Sequence, residues 1–253
     1  MLHMNGKAIL RIAIFYLIGI SISNVFRFDL LDLSKRVSEM PVWIIVLFAP
    51  LGAIGLWLGA LLSIKLLRKE RATEYSLFGS STKWSIIMAV IPIFLLAVIG
   101  VENTKAAETH YYGLAAGIGT FIYCIFEEYG WRGYLQEELI AISEWKRIII
   151  IGFLWYFWHL LFLKETALGD NLIFLSVLIA GTWGIGKVME MTKSVFAAAC
   201  FHMIIQIMMF NSLIKNGIDR NEKILILGVA VTAFIVILKY WKKAVAVEPV
   251  QST

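Results

Sequence analysis

Apolar positions in this chain come in long unbroken runs, with neither the alternation of a half-buried strand nor the stripe of a surface helix. Eight such runs lie near residues 8–24, 41–64, 84–101, 111–128, 147–163, 171–190, 194–213 and 222–241. A helix needs roughly 20 consecutive apolar residues to cross a bilayer, and these runs are of that order. The pattern predicts an all-α, polytopic membrane protein with about eight transmembrane helices. The punctuation between runs is short and polar. Asp29, Asp32, Lys35, Arg36 and Glu39 mark the first connector, Arg68 to Glu74 the second, and Gly79-Ser80-Ser81-Thr82 breaks the chain before the third run. No connector can hold a soluble domain, so residues 1–253 read as a single transmembrane domain without internal repeats.

Composition sharpens this picture. Of 253 residues, 60% are hydrophobic and 16% charged, against roughly a quarter charged in soluble domains. The mean hydropathy is +0.79. A soluble fold of this length has no interior large enough for so much apolar surface. The net charge of +5 is spread over connectors without an aromatic-interleaved basic patch, which argues against nucleic acid as a partner. With the N-terminus placed in the cytoplasm, fifteen Lys and Arg fall in cytoplasmic segments and eight in outer loops. That asymmetry predicts a multi-pass protein of the cell membrane with both termini cytoplasmic. Cys124 and Cys200 sit inside apolar runs and read as buried thiols, not as a disulfide. Lys7 and Arg11 open the first run and no small-residue cleavage site follows it, so that run reads as an uncleaved span.

A charge at mid-bilayer costs about 2.5–3.5 kcal/mol on insertion scales, which makes intramembrane polar residues candidates for function. Three groups qualify. Glu127-Glu128 with Arg132 lie at the end of the fourth run. If the helix continues, Glu128 and Arg132 pair at i, i+4, while Glu127, about 100° round the helix, faces another neighbour. One carboxylate is then neutralised and the other is free for chemistry; an ordinary interfacial Glu–Arg pair is the competing reading. The second group is Trp155-Tyr156-Phe157-Trp158-His159, with Trp155 and His159 on one face, and the third is His202 with Gln206 one turn later. A lone membrane histidine is often just packed, and polar residues one turn apart also serve as helix–helix glue. Depth bears on whether the groups meet. At 1.5 Å per residue, His159 lies about 18 Å into its run and His202 about 12 Å into its own. Glu127 falls near the inner end of the fourth run. Convergence on one cavity open to the cytoplasm is expected.

In this order, Glu-Glu-x-x-x-Arg, aromatic-x-x-x-His and His-x-x-x-amide on successive helices resemble the CAAX prenyl protease and bacteriocin-processing (CPBP, or Abi) family of intramembrane proteases. Glu127, Glu128 and Arg132 match its first motif, Trp158-His159-Leu160 its second, and the stretch from Gly181 to Gln206, with Gly184, Thr192, Ser194 and His202, its third and fourth. The resemblance covers roughly residues 110–210, with motif-bearing helices near 111–137, 147–163 and 194–213. Two positions depart from it. Trp155 stands where the family has Phe, an aromatic exchange expected to be mild. Gln206 stands where the family has Asn and reaches one carbon farther, which bears on where its amide sits.

The resemblance implies an intramembrane endopeptidase acting on a lipidated or membrane-associated peptide. Glu127 would activate a water as general base, His159 would position it, His202 and Gln206 would donate to the oxyanion, and Glu128 with Arg132 would hold the arrangement. The family is often labelled metalloprotease, yet the metal-free glutamate reading is chemically sufficient, so no obligatory cofactor is expected. A variant places zinc on Glu127, His159 and His202, a three-ligand set with an open fourth position. Other chemistries fit less well. No His-Glu-x-x-His motif is present; Asp29, Asp32, Asp170 and Asp219 lie in connectors or at run ends; Ser176 lacks a glycine-flanked turn. Cys124, three residues before Glu127, could share its face as a nucleophile but is the weaker choice. Two non-protease readings remain at this level, an inactive immunity or scaffold protein, to which Gln206 points, and a proton-coupled transporter.

Overall fold

A computed structural model of the chain describes residues 6–67, 75–163 and 167–247. The second connector, Arg68 to Glu74, and Lys164 lie outside the described residues, and with them part of the Lys/Arg balance.

All eight apolar runs are helical. The helices are α1 (Gly6–Arg27), α2 (Leu33–Ser38), α3 (Ile44–Phe48), α4 (Leu51–Leu66), α5 (Thr82–Ile99), α6 (Thr109–Gly130), α7 (Gln136–Glu138), α8 (Glu144–His159), α9 (Leu168–Thr192), α10 (Val195–Ile205) and α11 (Arg220–Val247). Among the described residues there is no strand, only one isolated bridge between Ser76 and Ser194. Local chemistry sets several starts. The Ser81 Oγ accepts from the Trp84 N–H to begin α5, the Glu108 carboxylate accepts from the N–H groups of His110 and Tyr111 to begin α6, and Ser194 Oγ accepts from Ala197 N–H to begin α10.

Five helices are long and apolar enough to cross a membrane by length and composition: Gly6–Arg27, Ile44–Leu66, Thr82–Ile99, Leu168–Thr192 and Arg220–Trp241. The expected count of about eight is not confirmed by this criterion. The three runs that do not qualify are α6, α8 and α10, the ones that carry the polar motifs. The acids of α6 lower its hydropathy, α8 is 16 residues long, and α10 with its continuation is the shorter apolar helix Val195–Phe210. Two of them are interior elements: 12 of the 22 residues of α6 and 8 of the 11 of α10 are buried. A helix shielded by protein need not be apolar all round. Outward-facing Leu17, Leu47, Phe94, Leu172, Ile173 and Ile235 supply the apolar exterior of a multi-pass membrane protein.

The first hundred residues, which read only as membrane helices, build a tight pair. Gly55 and Gly59 of α4 are one turn apart and face α1. A Cβ at Gly55 would stand 2.7 Å from the Gly19 carbonyl oxygen, and one at Gly59 would stand 2.6 Å from that of Phe15. Small residues one turn apart let two membrane helices approach this closely. The pair supports Phe15, whose ring meets Trp131 edge-on at 5.7 Å. Two apolar clusters result, one around α5, α6, α10 and α11 and the other around α1, α4, α8 and α9. The polar motifs lie where the two meet.

Candidate functional site

The helix carrying the paired acids does continue, but not as a plain α-helix. After Gly130 it passes through one π-turn, Trp131–Leu135, and resumes as α7. A second π-turn, Gln206–Phe210, continues α10. Single π-turns are rare and concentrate at functional sites; here both lie within the motifs. The continuation also corrects the expected depth of Glu127. The helix runs on to Glu138, which leaves Glu127 roughly 16 Å from its end at 1.5 Å per residue.

Glu127, Glu128 and Arg132 are all fully buried. The two acids have different surroundings. Arg132 Nη1 donates to Glu128 Oε1 at 3.0 Å, the expected i, i+4 pair. His202 Nδ1 lies 2.7 Å from the same oxygen. Gln206 Nε2 lies 3.1 Å from His202 Nε2. An amide NH2 only donates, so His202 Nε2 accepts, its proton sits on Nδ1, and Nδ1–H donates to Glu128. Glu128 therefore closes a four-residue network across α6 and α10. Both ring nitrogens of His202 are committed within it, which leaves no imidazole N–H for an oxyanion and leaves the second amide N–H of Gln206 as the available donor.

Glu127 points elsewhere. Trp155 Nε1–H donates to Glu127 Oε2 at 2.9 Å, and the other oxygen, Oε1, makes no hydrogen bond to protein. Glu128 has the Arg132 guanidinium as its partner, whereas Glu127 has the neutral indole of Trp155. Such a group is expensive to bury without a purpose. The expectation that the Trp155 exchange is mild is corrected here, because phenylalanine has no N–H to give.

His159 ends α8. Its Nδ1 lies 2.7 Å from the Trp155 carbonyl oxygen, which places the proton there and leaves Nε2 as an acceptor. Leu160 follows in the left-handed region at φ 52° and stops the helix. A non-glycine residue in that conformation carries about 1–2 kcal/mol of strain, spent where the helix must end on His159.

A cavity of about 610 Å³ reaches the site, lined among others by Arg27, Tyr123, His159, Gln206, Phe210 and Asn211. Arg27 is a member that the motifs do not reveal. Its Nη1 donates to the Trp158 carbonyl at 3.1 Å and its guanidinium lies 4.2 Å over the Trp158 ring. The cavity opens among Asp29, Leu33, Val37, Leu161 and Ser212. These belong to the connectors after α1, α8 and α10, the end of the bundle opposite to the Lys/Arg-rich segments. The expected opening towards the cytoplasm and the expected orientation thus point to opposite ends.

The positions near Gly181 to Ser194 are structural supports. Thr192 Oγ1 accepts from the Ser194 N–H at 3.2 Å, and Ser194 in turn caps α10 two turns before His202. Gly181 lies against the Trp155 ring, 3.5 Å from where its Cβ would be. Cys124 and Cys200 are buried free thiols. Among the described residues no three His, Cys, Asp or Glu side chains are arranged to hold a metal ion. Of the three candidate ligands, Glu127 keeps Oε1 and His159 keeps Nε2, but both ring nitrogens of His202 are committed to Glu128 and Gln206, so this arrangement does not offer the full three-ligand zinc set.

Residues 84–208 match the family model described as type II CAAX prenyl endopeptidase Rce1-like, a stretch that runs from α5 into the second π-turn and contains all six motif residues. No curated protein and no solved structure matches the chain.

Proposed function

Because the chain belongs to the CAAX prenyl protease and bacteriocin-processing family, and members of that family are intramembrane proteases, we propose that it hydrolyses a peptide bond of a lipidated or membrane-associated substrate by glutamate-activated water. The observation that carries this reading is the asymmetry of the two acids. Glu128 is held on Oε1 by the Arg132 guanidinium and by His202, whereas Glu127 has the neutral indole N–H of Trp155 on Oε2; each acid keeps its other oxygen without a hydrogen bond, and Glu127 is the one without a cationic partner.

In this reading Glu127 Oε1 takes a proton from water as the oxygen attacks the scissile carbonyl, and His159 Nε2 accepts from the same water and fixes its approach. The second N–H of Gln206 donates to the developing oxyanion. Glu127 then hands the proton to the leaving amine and returns to its starting state. Glu128, Arg132 and His202 hold α6 and α10 in register. No step needs a metal. The substrate enters from the cavity, whose walls of Phe26, Leu33, Phe48, Leu51, Phe210 and Leu213 suit an apolar or lipidated chain.

The test is comparative membrane proteomics of cells carrying wild type or Glu127→Ala, with the purified proteins then assayed on the peptide that accumulates. An unprocessed membrane peptide in the variant, cleaved by wild type and not by the variant, is expected. Equal processing by both would remove the glutamate mechanism. Cleavage lost to a chelator and restored by zinc would replace it with the metal one.

A further inference from the structure

We infer that Trp155 is a positioning residue for Glu127, holding the carboxylate by its indole N–H so that one oxygen alone is presented to the substrate side. The inference rests on the reading of Glu127 as the base. Its geometry stands on four contacts of one side chain and its backbone. The indole N–H donates to Glu127 Oε2 at 2.9 Å. The same ring lies under the Arg132 guanidinium at 4.3 Å and meets His202 edge-on at 5.3 Å. Its carbonyl takes the His159 Nδ1 proton at 2.7 Å. Trp155 thus touches a residue from each of the three motifs and is itself buried, with Gly181 making room for the ring.

The chemistry follows from the donor. A lone carboxylate in an apolar interior rotates about its last bond and offers either oxygen. A fixed N–H on Oε2 selects one rotamer and leaves Oε1 for the water. Phenylalanine, which the related motif has here, fills the space without doing either. The exchange of Phe for Trp in this chain therefore adds a hydrogen bond to the reacting group.

The experiment uses the full chain in lipid nanodiscs. First, the indole ¹⁵N–¹H resonance of Trp155, assigned by its loss in Trp155→Phe, is compared between wild type and Glu127→Ala. A downfield proton that moves upfield when Glu127 is removed is expected, and a resonance indifferent to Glu127 overturns the inference without any assay of turnover. Second, Trp155→Phe is assayed on a quenched fluorescent peptide ending in a farnesylated cysteine tetrapeptide, or on the peptide found above if that is the one cleaved. The expected result is kcat reduced about tenfold with KM within about twofold. A folded Trp155→Phe protein with wild-type kcat overturns the inference while leaving Glu127 as base intact. Full activity of Glu127→Ala would instead remove the reading on which both depend.

Discussion

His202 donates its Nδ1 proton to Glu128 and not to Glu127, although the two acids are adjacent in sequence. The consequence is a division of labour between neighbours: one carboxylate is locked between Arg132 and His202, the other is left without a cationic partner.

The first prediction tests that division. Glu127→Gln keeps the shape of the side chain and its oxygen towards Trp155 while removing the base. Turnover is expected to fall at least about a hundredfold, the usual worth of a positioned general base, with the melting temperature unchanged or raised. Glu128→Gln is expected to show the reverse balance, a clear loss of melting temperature in detergent. Equal effects of the two variants on stability would contradict the asymmetry.

Arg132 gives a second, sharper case. Arg132→Met leaves Glu128 charged in an apolar interior. Breaking a buried pair from one side costs about 3–5 kcal/mol. Adding Glu128→Gln to Arg132→Met is expected to recover part of that loss, since both charges are then gone. The readout is denaturant or thermal unfolding of the three proteins, and a double variant no more stable than Arg132→Met would count against the pair.

The α1–α4 contact yields a third expectation. Gly55→Ala places a methyl 2.7 Å from the Gly19 carbonyl oxygen, so the helices must part. Overpacking of this kind costs about 1–3 kcal/mol. Faster proteolysis of the α1 end and a lowered melting temperature are expected, with activity lost in proportion because Phe15 braces Trp131 at the π-turn.

pH enters through Glu108, outside the membrane segments. Its carboxylate accepts from the N–H groups of Tyr111 and His110, which hold it below the usual carboxylate range. A depressed value in the folded protein means stability that is present above the unfolded value and lost as pH falls through the folded one. The stability difference between wild type and Glu108→Ala should therefore be largest at neutral pH and shrink below about pH 4. Unfolding at pH 7 and at pH 3.5 checks it; a difference that grows in acid would contradict the cap.

Orientation is testable with single cysteines, because Cys124 and Cys200 are buried. Ser212, at the cavity mouth, and Ser143, before α8, are both exposed and at opposite ends. The Lys/Arg balance predicts that Ser212→Cys is labelled by an impermeant maleimide on intact cells and Ser143→Cys only after lysis. The opposite labelling would place the cavity on the cytoplasmic side.

Much of the site could be read from spacing alone. The i, i+4 relations of Glu128 with Arg132 and of His202 with Gln206 depend only on helical geometry, and both are hydrogen-bonded as spacing implies. What lies between helices was not readable. Nothing in the spacing tells that His202 turns to Glu128, that Trp155 reaches Glu127 or that Arg27, more than a hundred residues earlier, joins the cavity wall, because these are facts of packing. The span count was not settled by spacing for a related reason: a helix enclosed by protein and one facing lipid carry similar apolar runs, and five helices meet the length and composition of a span while α6, α8 and α10 do not. The depth of Glu127 failed on the π-turn, since no residue in Trp131–Leu135 signals a wider turn.

That π-turn has a further consequence. It works as a change of phase within one continuous rod. Upstream of it, the helix is rotated to present Glu127 and Glu128 to α8 and α10. Downstream, the same rod is rotated to present Glu138 to Arg11 of α1. Wound as ordinary α-helix with no residue removed, Trp131–Leu135 would swing the downstream part by about 100°, so the anchorage on α1 and the aim of the acids could not both survive. The extra residue is what allows one helix to serve two alignments.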